Sequence, residues 1–230
     1  MLAGPSFASI LLTGIVDGKD GLRDLFLRLC RWRVNIRWYG AALLITPILL
    51  TTILVALTLI SPLFMPGIFN AGDKVKLLGL SIAAGLTAGF FEELGWTGFA
   101  APKMQLKLSA FATSITLGVI WAIWHFLADF WGGYVVYGEL YLPHYLLWVV
   151  ALPAYRVLMV WVYNNARSLL LAQFMHASFT GSQFLLTPTA LSVADDVLWY
   201  LIFTATLCVA AVVVVRVYGR KRLIRNSGMG

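Results

Sequence analysis

From residue 38 to residue 216 the chain repeats one pattern: an apolar run of about twenty residues, then a short polar or charged stretch. A helix rises 1.5 Å per residue, so each run is long enough to cross the roughly 30 Å of hydrocarbon in a bilayer. The pattern predicts six membrane-spanning helices, at 38–60, 75–99, 109–131, 141–163, 167–187 and 196–216. Upstream the pattern differs. Leu22, Leu25, Phe26 and Leu29 recur at helical spacing opposite Lys19, Arg23, Arg28, Arg31, Arg33 and Arg37. That predicts a basic amphipathic helix over 17–37, lying on the cytoplasmic leaflet. The apolar run Pro5 to Val16 is short for a span and has no basic segment before it, so it is not a signal peptide. It reads either as the tail of a longer hairpin or as a stub at the interface. The expected fold class is all-α, a polytopic transmembrane helical bundle of about six spans plus the N-terminal basic amphipathic helix. Its expected parts are the N-terminal stub and basic segment (1–37), the membrane bundle (38–216) and a basic cytoplasmic tail (217–230).

Composition agrees with that pattern. Of 230 residues, 60% are hydrophobic and 12% charged, against about 25% charged in soluble domains. The net charge of +7 therefore does not point to nucleic acid, because cations that flank spans report orientation and lipid headgroups. If the amphipathic helix is inside, the inner segments hold Lys103, Lys107, Arg167, Arg216, Arg220, Lys221, Arg222 and Arg225 besides the six cations before residue 38. The outer segments hold only Lys74 and Lys76. The expectation is a multi-pass protein with both termini cytoplasmic, in the plasma membrane of a bacterium given its size and minimal loops. The expected partners are membrane lipid and a peptide or membrane-protein substrate. Cys30 and Cys208 lie far apart, without metal-ligand spacing, and are read as unpaired.

The candidate chemistry lies inside the spans. Glu92 and Glu93 stand together in an otherwise apolar stretch, and a carboxylate in hydrocarbon costs several kcal/mol unless paired, protonated or hydrated. His125 and His176 sit in two further spans. Counted from the inner flanks, Glu92, Glu93 and His176 share a depth. His125 joins them if its span begins nearer Thr113. Adjacent helical residues point about 100° apart, so one glutamate is expected to face the site and the other a neighbouring helix. A glutamate tuned by burial can act as general base toward water, and imidazoles can donate to an oxyanion or ligate a metal. The same residues could also form a proton relay. Arg156 needs a partner inside its span, with Asp129 or Glu139 as candidates, and Glu93 paired to Arg156 or to a backbone donor is the structural alternative to catalysis. Asp129, one turn beyond His125, either orients that ring or is solvated at the span end; His144 is placed at a membrane interface, and Asp195 and Asp196 as helix caps. Trp121, Trp124, Trp131, Trp148, Trp161 and Trp199 read as packing and interface residues.

Three segments together resemble the CAAX-protease and bacteriocin-processing family of intramembrane endopeptidases, including its type II CAAX prenyl proteases. Glu92-Glu93-Leu94-Gly95-Trp96-Thr97 is similar to the first motif, two glutamates, three residues, then arginine. Trp121-Ala122-Ile123-Trp124-His125 is similar to the second, an aromatic four residues before histidine. His176-Ala177-Ser178-Phe179-Thr180 is similar to the third, histidine followed four residues later by a small polar residue, often asparagine. Tyr163 to Ser168 and the basic stretch Gly21 to Tyr39 add to the likeness, which runs from about Gly4 to the last span. The resemblance implies that 38–216 is a protease domain. Glu92 would activate water, Glu93 and His125 would assist or position it, and His176 with Thr180 would form the oxyanion site. It also admits zinc held by Glu92, His125 and His176, but no His-Glu-x-x-His motif is present, and a metal-free reaction without cofactor is the preferred reading. Two departures stand out: Thr97 replaces the family's arginine, leaving that ion pair to a glutamate missing, and Thr180 replaces the frequent asparagine. The family pattern also has one or two spans ahead of the Gly4-Pro5 segment. The alternatives are a non-catalytic membrane scaffold of the same family and a proton-coupled transporter.

Overall fold

A computed structural model describes residues 3–224, the side chains of residues 127 and 128 apart. Arg225 of the expected tail lies outside the described residues. Six long helices follow a bent N-terminal one, and no strand occurs among the described residues. Helix α1 (Gly4–Leu29) reverses at Gly18, where φ is +65° and ψ −154°. A side chain would be strained there, and glycine is not. Beyond the turn Gly14 lies against Leu22 and Gly21 against Thr13, so α1 is a tight hairpin. Its first arm is amphipathic in the sense that suits lipid. Ser6, Ser9 and Thr13 are buried against the protein, while Phe7, Leu11 and Ile15 are exposed. This arm is therefore a hairpin arm set against the bundle, not an interfacial stub. Gly4 touches Trp124 well inside the bundle, and Asp17 at the turn pairs with Lys103 at the basic end. The amphipathic helix expected over 17–37 is shorter than its sequence pattern. It stops at Leu29, and Arg31 and Arg33 lie in the connection, because Asn35 caps the next helix by accepting from the Arg37 amide at 3.1 Å.

The remaining elements are α2 (Ile36–Thr58), a 3₁₀ turn at Pro62–Phe64, α3 (Gly67–Asn70), α4 (Lys74–Glu93), a π-helical turn (Leu94–Ala100), α5 (Ala101–Gln105), α6 (Ala110–Tyr137), a second 3₁₀ turn (Gly138–Leu140), α7 (Tyr141–Ala166), α8 (Leu169–Leu186) and α9 (Val193–Tyr218). By length and composition, four stretches can cross a membrane: Ile36–Thr58, Lys74–Gln105, Asp129–Ala166 (which includes the α6–α7 turn) and Val193–Tyr218. The apolar part of α6, Ala110–Phe126, is shorter. Gln173, His176 and Gln183 dilute α8, which buries itself among other helices instead. α6 begins at Ala110, capped by the Ser109 hydroxyl accepting from Ala112 at 3.1 Å, so the late start near Thr113 does not occur.

α7 is the axis of the bundle. Ala151 through Val160 are buried without interruption, as an apolar helix surrounded by others requires. It packs against α6 and α9, and α8 packs against α4 and α2. Small residues set the two approaches that matter for the site. Gly85 and Gly89 of α4, spaced as in a GxxxG motif, lie on the backbone of Ala177 and Gln173 in α8. Gly118 of α6 lies on the ring and backbone of Pro153 in α7. At the basic end the segment after α9 is tucked beneath the bundle. Asn164 and Asn165 each donate at 2.8 Å to a carbonyl of that segment, those of Arg222 and Leu223.

Candidate functional site

α4 ends on its two glutamates, and the chain continues as a seven-residue π turn. Such turns widen the helix and occur often at functional sites. Gly95 and Gly98 let this wider turn sit against Pro5 and Leu25 of α1. Both carboxylates are buried, Glu92 at 2% and Glu93 at 0% exposure. As the 100° helical offset implies, they face different neighbours. Glu92 looks toward α6, where its Oε2 accepts from the indole of Trp121 at 2.9 Å and from that of Trp96 at 3.3 Å. Among the described residues its Oε1 has no hydrogen-bond partner.

Glu93 looks toward α7 and α8. Its Oε1 accepts from His176 Nδ1 at 2.8 Å and from Arg156 Nη2 at 3.1 Å. Its Oε2 accepts from Arg156 Nη1 at 2.8 Å and from the Thr97 hydroxyl. Four donors on two oxygens saturate the group, and the two-pronged guanidinium is the strong form of such a pair. The Gly85–Gly89 contact explains how α8 brings His176 within reach of Glu93.

His125 is held differently. Its Nδ1 donates to the Trp121 carbonyl on its own helix at 2.9 Å, and its ring stacks on Trp148 at 6.0 Å. Asp129 is not its orienting partner: the backbone carbonyl four residues back takes that role. Both imidazoles thus commit Nδ1–H to an acceptor, and neither Nε2 has a hydrogen-bond partner among the described residues. Trp121 packs edge-on against both, its ring 5.6 Å from that of His125 and 4.9 Å from that of His176. Thr180 stands one helical turn beyond His176 on α8, half-buried, and its hydroxyl has no partner among the described residues.

Several expectations are corrected here. Arg156 pairs with neither Asp129 nor Glu139; its partner is Glu93. The ion pair thought missing because of Thr97 is present, supplied across the bundle by α7. Thr97 joins the same network, bonded to Glu93 and 3.4 Å from Arg156 Nη1. Trp121 is not only packing, because its indole N–H binds Glu92 and its face carries the Arg156 guanidinium at 4.5 Å. A buried indole N–H needs an acceptor, so the carboxylate nearest in depth was the available signal. His144 is buried within the protein, stacked on Tyr137 at 4.0 Å and 4.0 Å from Asp196. Ser192, not either aspartate, caps α9; Asp195 and Asp196 lie in its first turn, and Asp196 accepts from Tyr137 at 2.6 Å and Trp199 at 2.7 Å.

Among the described residues, no three His, Cys, Asp or Glu side chains converge where one metal ion could touch them all. The zinc set Glu92, His125 and His176 therefore does not fit as placed. An apolar cleft of about 370 Å³ opens between α2, α4 and α8, lined by Leu43, Leu86, Phe174 and Ala177 among others. A larger one of about 910 Å³, at the basic end, is lined by Arg28, Lys107, Arg167, Lys221 and Arg222. Arg28 joins it to the site's π turn, donating at 2.9 Å to the Gly98 carbonyl and at 2.8 Å to the Tyr163 hydroxyl.

Residues 74–182, which include both glutamates, both histidines and Thr180, match the family model described as type II CAAX prenyl endopeptidase Rce1-like. The chain is also similar to a CAAX prenyl protease 2 from Methanococcus maripaludis, 31% identical over 131 residues, which is 54% of this chain and 47% of that protein. The match thus spans about half the length of that relative.

Proposed function

We propose that this chain, whose residues 74–182 match the type II CAAX prenyl endopeptidase Rce1-like family model, is an intramembrane endopeptidase that uses Glu92 to activate water. One observation supports the assignment above the rest. Glu93 has every hydrogen-bonding position filled, whereas Glu92 keeps Oε1 free while two indoles hold its Oε2. A general base must reach a water, and only Glu92 has an oxygen to offer.

The roles are those the family resemblance implies, and the geometry is compatible with them. Glu92 Oε1 takes a proton as the water oxygen attacks the scissile carbonyl carbon, and later returns it to the leaving amine. His176, fixed through Nδ1 by Glu93, presents Nε2 and donates to the developing oxyanion when its ring is protonated. Thr180, one turn on, adds a hydroxyl on the same helix face. His125, fixed through Nδ1 by its own backbone, presents Nε2 from α6 to orient the water. No step is routed through a metal ion. The substrate class follows the relative's name: a peptide bond near a prenylated C-terminal cysteine is the first to try, with other membrane-anchored peptides behind it.

The test uses the full chain in liposomes with a farnesylated CAAX-type peptide and a panel of membrane-anchored peptides. Wild type should cleave, and Glu92→Gln should lose roughly 1,000-fold or more in rate. A zinc chelator should change nothing. Cleavage lost to chelator and restored by zinc would remove the metal-free mechanism. An unaltered rate in Glu92→Gln would remove Glu92 as base, and a wild type that cleaves no peptide would leave the scaffold reading.

A further inference from the structure

We infer that Arg156 is a positioning residue of this site: it holds the glutamate that holds His176, and it braces the tryptophan that holds Glu92. The inference rests on the endopeptidase reading for its kinetic consequence, but not for its geometry. Arg156 is fully buried on the central helix, and a lone cation there would be costly. Its fork grips both oxygens of Glu93, at 2.8 and 3.1 Å. That bidentate grip fixes the carboxylate plane, and Glu93 Oε1 in turn fixes His176 Nδ1 at 2.8 Å. The guanidinium carbon also lies over the Trp121 ring, 4.5 Å from its centroid, and the same indole donates to Glu92 at 2.9 Å. One side chain therefore touches the support of His176 and the support of Glu92, although among the described residues it hydrogen-bonds to neither of those two.

The backbone is shaped for this contact. Gly118 of α6 meets Pro153 of α7 with no room for a Cβ atom. Trp121 and Arg156 each stand three residues further along their helices, on the same face as that contact. Because α6 and α7 run antiparallel, the two stand on opposite sides of the contact, and the close approach lets their long side chains meet across it at 4.5 Å. Pro153 itself has no N–H, which suits the helix to a local bend just before Arg156.

Thr97 shows that the cation could also come from elsewhere. Its hydroxyl is bonded to Glu93 and lies 3.4 Å from Arg156 Nη1, so position 97 borders the volume the guanidinium occupies. An arginine at 97 would reach the same carboxylate from the glutamates' own segment. The position of the charge, not its home helix, is then what the site requires.

The experiment relocates the charge. The full chain in liposomes is compared as wild type, Arg156→Leu, Arg156→Lys and the double variant Arg156→Leu/Thr97→Arg. Two readouts are taken: kcat and KM on a farnesylated peptide, and ¹⁵N-histidine NMR of the His176 ring, assigned with His176→Gln. The NMR readout needs no substrate. Arg156→Leu should lose roughly 100-fold in kcat with KM little changed, and lose the Nδ1–H signature of His176. The double variant should recover both, with kcat within about tenfold of wild type, and Arg156→Lys should recover only part, since a point charge cannot grip both oxygens. Retention of kcat and of the His176 signature in Arg156→Leu would overturn the inference. So would a double variant that unfolds at the wild-type midpoint yet stays as impaired as Arg156→Leu. If wild type cleaves nothing, the endopeptidase reading fails, and the His176 signature across the four proteins still decides whether Arg156 holds that ring.

Discussion

Glu93 illustrates how a charge survives in the interior of a membrane protein. Its carboxylate meets one guanidinium, one imidazole and one hydroxyl, so no lone pair is stranded. Removing one member leaves the others exposed to that cost. Glu93→Gln should destabilise the fold by about 3–5 kcal/mol, because Arg156 would be left buried and unpaired. Removing both charges, in Glu93→Gln/Arg156→Leu, should recover most of that loss. Denaturant titration of the four proteins measures the difference, and additive losses in the double variant would mean that the two residues do not act as a pair. Trp121→Phe keeps an aromatic face over Arg156 but removes one indole N–H from Glu92. It should slow cleavage by roughly tenfold, about the worth of one charge-assisted hydrogen bond, with the unfolding midpoint nearly unchanged. Both glutamates and both histidines were legible in the sequence as ionisable groups in apolar runs. Arg156 was legible as needing a partner, and Glu93 stood among several candidates; with 63 residues between the two in the chain, only the fold could choose it over Asp129 and Glu139.

At the scale of elements, small residues decide where the helices meet. α4 and α8 approach through Gly85 and Gly89, and α6 and α7 through Gly118 and Pro153. In lipid there is little hydrophobic drive between helices, so such close backbone contact supplies the packing. Gly118→Val should push α6 from α7, separate Trp121 from Arg156, and cut activity by far more than a substitution on the lipid face such as Ile123→Val. An active Gly118→Val protein would show that this approach is not what sets the site. The glycine spacing in α4 was visible in the sequence as a GxxxG pattern. Its target, the carbonyls of Gln173 and Ala177, was not. The π turn after Glu93 was also beyond local pattern, since its length depends on Pro5 and Leu25 of α1 filling the space beside Gly95 and Gly98.

For the whole molecule, the ends of the bundle differ in charge. Lys103, Lys107, Arg167, Lys221 and Arg222 gather at one end, with the reversal of α1 beside them. The opposite end holds Lys74 and Lys76. By the positive-inside bias, a reporter fused after Gly230 should read as cytoplasmic and one inserted at Gly72 as external. The reverse pattern would invert the bundle and place the basic cleft outside. The described chain begins near Trp124, within the bundle, because the Gly18 turn sends the first arm of α1 back from the basic end.

The sequence by itself determined the helices, the charged end and the four ionisable residues of the site. Those properties are local, since hydrophobic period and run length are read within one segment, and an acid or imidazole in hydrocarbon is anomalous wherever it occurs. Only the tertiary structure decided which glutamate is saturated and which is free, that α7 supplies the cation absent at position 97, and that one indole joins the two halves of the site. Each of these depends on distances between side chains on different helices. Those distances are set by glycine contacts and by the bend in α1, and they are not encoded in any one segment.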